Sequence, residues 1–154
     1  MEVVKQRRSI RKYKSDPVPE SLLDQILEAT RLAPSGANRQ LWHFIVVKDP
    51  QKKKMLDISD WAKEAPIVVV GCTEDALPTN IAIALEHLVL AATNFGLGTC
   101  WMGRWSRDNK IIKETLSIPE NINVLAIIAL GYSDELPIPK PRKSLSEIVH
   151  KEKF

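Results

Sequence analysis

Cysteine is scarce in this chain of 154 residues: Cys72 and Cys100 are the only two, far apart, and fit neither a Cys-x-x-Cys nor a Cys/His ligand spacing. Nothing therefore supports a disulfide framework or a zinc site, and both thiols are expected to be reduced and buried. Six glycines and ten prolines are too few for a collagenous or low-complexity chain. No dinucleotide fingerprint occurs, because Gly96 and Gly98 are followed by Gly103 two positions too late, after a helical pattern instead of a strand. No Gly-x-Ser-x-Gly elbow is present, and Ser9 and Ser35 have no evident base partner. The three histidines, His43, His87 and His150, form no cluster, so none is assigned a catalytic role. Also missing is an apolar leader: the first residues carry Lys5, Arg7, Arg8 and Arg11, which points to a cytoplasmic protein.

What is present is an ordinary globular balance, 44% hydrophobic and 27% charged, in a length that suits one domain over residues 1–154. The net charge of +3 is unevenly placed. Residues 1–14 hold six basic side chains against Glu2, a net +5; residues 140–154 hold five against Glu147 and Glu152, a net +3; the body between is −5. Basic ends on an acidic body either converge on an anion or form solvated tails. A small basic nucleic-acid-binding domain is one alternative, but the basic segments are not interleaved with stacking rings.

Along the chain, helical and strand patterns alternate. Pro19 opens a helix of about 14 residues with Leu22, Leu23, Ile26, Leu27 and Thr30 on one side, stopping at Pro34, Ser35 and Gly36. Phe44–Val47, Ile67–Gly71 and Val124–Leu130 read as three central strands, the last two apolar enough to be buried on both faces. Lys52–Ile58 and Ser106–Leu116 read as shorter helices, with Ser106 as N-cap of the second. Thr79–Phe95 is apolar almost all round. Glu86 and His87 near its centre argue against a membrane span, so the reading is a buried helix with part of its surface against a second subunit.

Two stretches are the most informative: Arg7-Arg8-Ser9-Ile10-Arg11-Lys12-Tyr13, then Pro34-Ser35-Gly36-Ala37-Asn38-Arg39-Gln40-Leu41-Trp42-His43-Phe44. Together they resemble the nitroreductase-like family of FMN-dependent oxidoreductases, whose N-terminal R-R-S-x-R segment precedes an A-P-S-x-x-N-x-Q-P-W-x-F loop. Gly96–Gly103 resembles the family's glycine-rich segment, and Gly131-Tyr132 followed by Pro137, Pro139, Lys140, Pro141 and Arg142 resembles its C-terminal phosphate segment. The four segments come in the family's order and span essentially the whole chain.

The resemblance implies an α+β fold, with a central mixed β-sheet wrapped by helices, working as a homodimer with FMN at the subunit interface. It places Arg7, Arg8, Ser9, Arg11, Lys140 and Arg142 around the FMN phosphate, where guanidinium forks form paired, charge-assisted bonds. It places Pro34, Ser35, Gly36, Asn38 and Gln40 along the flavin, and the backbone of Met102 and Gly103 at its N5 side. A donor at N5 stabilises the reduced flavin. The implied reaction carries hydride from NAD(P)H, a transient co-substrate, through the flavin to an electron-poor acceptor such as a nitroaromatic, quinone or activated alkene. A flavin-binding sensor or storage protein without turnover is the other alternative. Three departures from the family pattern bear on substrate: Leu41 for proline, Arg39 for a small residue and Met102 for an acidic one.

Overall fold

The structure, a computed structural model, describes residues 1–154. Its elements in chain order are α1 (Glu2–Gln6), α2 (Glu20–Arg31), β1 (Trp42–Val47), α3 (Pro50–Met55), α4 (Asp60–Lys63), β2 (Ile67–Thr73), α5 (Thr79–Asn94), β3 (Gly98–Gly103), α6 (Lys110–Leu116), β4 (Asn123–Gly131) and α7 (Leu145–Ile148). The strands form one sheet in the order β1-β2-β4-β3.

Every neighbouring pair in that sheet is antiparallel, which corrects the expected mixed sheet. The only parallel pairing is an isolated bridge between Ser9 and Thr99. The reason lies in burial. Long apolar runs report that both faces of a strand are covered, which is commonest in parallel sheets, but here helices cover both faces of an antiparallel one. On one side Ile67, Val69, Ile128 and Leu130 pack with Leu23 and Ile26 of α2 and Ile81, Leu85 and Leu88 of α5. On the other, Val68, Val70, Val124 and Ile127 pack with Leu56 and with Ile112 of α6. Successive residues feed alternate cores, so hydropathy cannot alternate.

The helix α2 ends at Arg31, just ahead of the Pro34 that disfavours further turns. At α3, Asp49 accepts hydrogen bonds from the N–H groups of Gln51 and Lys52, and these donors hold its carboxyl below the usual range. The start of α6 differs from expectation. Ser106 sits at a left-handed φ of 60° and caps nothing; the N-cap position is Asn109. A turn built on Arg104 takes the intervening residues, its Nε donating to Asn109 Oδ1 and its Nη2 pairing with Asp57.

The helix α5 covers the expected span and buries Ile81, Ala84, Leu85, Leu88, Val89 and Ala92. Ile83 stays exposed, while Leu90 and Ala91 remain half-buried beside an open groove that Val3, Leu32 and Phe95 also line. No helix is long and apolar enough to cross a membrane.

Candidate cofactor site

The N-terminal basic segment is tied along the free edge of β3. Ile10 N–H donates to Thr99 O at 2.9 Å, Lys14 N–H to Tyr132 O at 2.9 Å, and the Glu135 carboxylate accepts from the N–H groups of Arg11 and Lys12. Tyr13 O–H donates to Ile10 O at 2.6 Å and Ala129 O at 3.2 Å, and burial pushes its phenol pKa up, so it acts only as a neutral tie. Between Ser9 and Arg11, the buried Ile10 packs so closely on Gly98 that a Cβ there would lie 2.6 Å from Ile10 Cγ1. With Ile10 turned inward, the alternation of an extended segment turns Ser9 and Arg11 to the opposite face, where Ser9 is half-buried and Arg11 exposed.

The segment that follows β4 returns to the same place. Arg7, Arg8, Ser9, Arg11, Lys140 and Arg142 line one recess of about 380 Å³. The two basic ends of the chain therefore converge. None of these five cations is paired with a carboxylate, although Lys12 next door is paired with Asp134 at 3.1 Å. Arg8 stiffens the segment, its Nη1 donating to Lys5 O and Arg7 O at 2.6 and 2.8 Å. Arg142 Nη1 likewise donates to Lys140 O at 3.1 Å. Lys5 lines the recess as well, and six like charges around one small space repel unless an anion sits among them.

The loop between α2 and β1 forms a second surface. Asn38 N–H donates to Ser35 O at 2.9 Å and Gln40 N–H to Ser35 Oγ at 3.0 Å. Gln40 Nε2 is held inside the loop by Asn38 Oδ1 at 3.0 Å. Pro34, Gly36, Asn38 and Gln40 are exposed and Ser35 half-buried. Ala37, Asn38 and Gln40 all have positive φ, 51°, 54° and 53°.

This loop does not join the recess within one chain. Gly36 N–H donates to Asn80 at the start of α5, whereas the recess abuts β3, which follows the end of α5. Sixteen residues of helix separate the two, about 24 Å at 1.5 Å each. Met102 and Gly103 lie at the far end of β3 from Thr99. Ile10 N–H bonds Thr99 O and Arg104 N–H bonds Leu125 O, so even-numbered amides of β3 face β4 and odd-numbered ones face outward. Of the two expected backbone donors, Gly103 N–H therefore points off the sheet edge, while Met102 N–H points at β4 and its half-buried side chain joins the second core. Trp101, 37% exposed, lies on the surface between Thr99 and Gly103, while Trp105 packs against the first core.

Sequence reasoning missed Glu135, Asp75 and Asn80. Each acts on a residue remote in the chain, and no local pattern marks it. Gly98 was within reach, since a glycine opening a strand signals close backbone approach.

The chain belongs to the nitroreductase family: that family's model matches residues 4–74 and 73–132. A protein of Methanothermobacter thermautotrophicus named for NADH dehydrogenase or NAD(P)H nitroreductase activity is 35% identical over 150 residues, covering 89% of this chain and 78% of its own. An FMN-dependent nitroreductase of Clostridium difficile superposes with a TM-score of 0.88 at 35% identity, over 99% of this chain and 98% of that one. A Parabacteroides distasonis structure named in the same way as the Methanothermobacter protein gives 0.90 at 28% identity, over 99% and 97%. The protein is thus an oxidoreductase of the NAD(P)H nitroreductase and FMN reductase group, with the α+β fold of that family.

Proposed function

We propose that the protein binds FMN and uses it to carry hydride from NAD(P)H to an electron-poor acceptor such as a nitroaromatic, a quinone or an activated alkene. The observation that carries this reading is the convergence of Arg7, Arg11, Lys140 and Arg142, none with a carboxylate partner, on one recess at the edge of β3. The donor set fits a phosphate: guanidinium forks and a serine hydroxyl match its oxygens, and no acidic side chain lines the recess. Bound FMN would supply the hydride chemistry. Gly103, with no side chain and its N–H directed off the strand edge, would leave room for a flat ring there, and the exposed Trp101 would offer that ring an apolar neighbour.

The 24 Å separation favours a site shared by two copies, because a flavin nucleotide is shorter than that. A two-fold pair with antiparallel α5 helices brings the loop 34–40 of one copy to the recess of the other. The half-open groove at Leu90 and Phe95, with exposed Leu136, Ile138, Leu145 and Ile148, supplies apolar surface for such a pair. We read residues 1–154 as one unit of this dimer.

The test is direct. Purified protein is expected to be yellow or to take up FMN, and to gain about 2.7 kcal/mol of stability at a hundredfold excess over Kd. No rise in Tm with saturating FMN would sink the reading. Sustained NAD(P)H consumption with added quinone separates an enzyme from a protein that merely holds flavin.

A further inference from the structure

The loop 36–40 poses a physical question that its own residues do not answer. Three of its five residues, none of them glycine, sit in the left-handed region, and such conformations persist only where surrounding contacts over-determine them. Two tethers from outside the loop meet at one side chain. Asp75, 8% exposed, accepts from Asn80 Nδ2 on Oδ2 at 2.7 Å and pairs through Oδ1 with Arg39 at 3.3 Å. Asn80 Oδ1 in turn accepts the N–H of Gly36 at 3.0 Å. Because a carboxylate only accepts, it forces the amide of Asn80 to turn its NH2 inward and present its oxygen to Gly36. Asp75 is itself fixed, its N–H donating to Thr73 Oγ1 at 3.0 Å, and that hydroxyl also holds Leu41 O, where the loop enters β1.

We propose that Asp75 is the positioning residue of this loop: acting on Gly36 through Asn80 and on Arg39 directly, it holds the left-handed turn in the shape offered to the flavin ring. The flavin clause rests on the function proposed above; the tether itself does not. Arg39 and Asp75 account for each other, since an arginine in this exposed turn gives the buried carboxylate its countercharge.

The experiment uses the full chain with Asp75→Ala, Asp75→Asn, Asn80→Ala and the double alanine variant. Amide exchange is measured without ligand, and FMN and riboflavin affinities are measured by quenching of flavin fluorescence. In Asp75→Ala, exchange at residues 36–40 should rise tenfold or more while β2 and β4 stay protected, and FMN and riboflavin should weaken by the same factor, about 10- to 100-fold. The double variant should be no worse than the poorer single one, because both break one chain of hydrogen bonds; independent structural damage would add. Asp75→Asn keeps an acceptor for Asn80 and should fall between wild type and Asp75→Ala, which covers the case in which alanine unfolds the chain. Unchanged exchange at residues 36–40, or a loosened loop with unchanged flavin affinity, overturns the proposal. Wild-type protein that binds neither flavin overturns the reading beneath it, and the ligand-free exchange distinguishes that failure from failure of the tether.

Discussion

Gly98→Ala tests how the cation recess is built. The added Cβ would lie 2.6 Å from Ile10 Cγ1, 2.9 Å from Ile10 Cβ and 3.1 Å from its Cγ2, against carbon contacts that are comfortable at about 3.5 to 4.0 Å. Ile10 cannot swing clear, since its Cβ is among the atoms struck and its χ1 is stiff. The segment must lift off β3, stretching the 2.9 Å bond from Ile10 N–H to Thr99 O. Overpacking of this kind costs about 1 to 3 kcal/mol and the bond about 1 more. For a chain of this size that sum lowers Tm by roughly 4 to 16 °C. Since Ser9 and Arg11 flank Ile10, FMN should weaken more than riboflavin. Gly96→Ala is the control: φ is 76° there but nothing lies within 4 Å of the new Cβ, so only a backbone cost of about 1 kcal/mol is expected. Thermal melts followed by circular dichroism, with titrations of both flavins, supply the readout. The decisive comparison is Gly98→Ala with Ile10→Ala, where losing Cγ1 and Cγ2 leaves only the 2.9 Å contact with Cβ, so the two losses should fall short of adding. Additive losses, or a wild-type Tm for Gly98→Ala, would refute the reasoning.

Replacing Arg142 by Ala should weaken FMN about 10- to 150-fold and riboflavin far less, with Lys151→Ala as the neutral control; equal losses would place the phosphate elsewhere. Lys53, 6% exposed, ties the carbonyls of Ala65 and Pro66 ahead of β2; Lys53→Met leaves both unpaired and should cost about 1 to 3 kcal/mol in urea unfolding. Burial pushes the Cys72 thiol from 9.0 to about 11. A raised value favours the folded state while the thiol is protonated, so this contribution is whole below pH 9.0 and disappears as pH rises towards about 11. Thiolate absorbance from Cys72 that appears near pH 9 in the folded protein would contradict it.

The parts of the fold that announce themselves in the sequence are those whose burial is one-sided or complete. α2 shows its inward stripe at Leu23, Ile26 and Thr30, and β2 and β4 show unbroken apolar runs. β3 stays silent because a glycine sits at each end and only Thr99 and Trp101 between them favour a strand, too few to make a run. α1, α4 and α7 are too short for a helical period to register. Strand direction is illegible for the reason β2 and β4 are legible, since covering both faces erases the alternation that marks an antiparallel strand. In the site, the charge imbalance between ends and body foretells the recess. The residues that arrange it are hidden: Glu135 reaches Arg11 across 124 positions and Asn80 reaches Gly36 across 44.

The length of α5 has a genetic consequence. In the proposed pair, a helix that keeps the loop 34–40 and the cation recess about 24 Å apart would make each site a joint product of two chains, so two differently damaged chains need not be damaged together. Co-expressing one chain with a broken recess, Arg142→Ala, and another with a broken loop tether, Asp75→Ala, yields mixed pairs in which one site inherits both faults and the other inherits neither. Half the flavin capacity of the mixed pair would return from two parents that each have little. A site assembled within a single chain would show no such rescue, so complementation between alleles reads out the geometry of α5 without a structure of the pair.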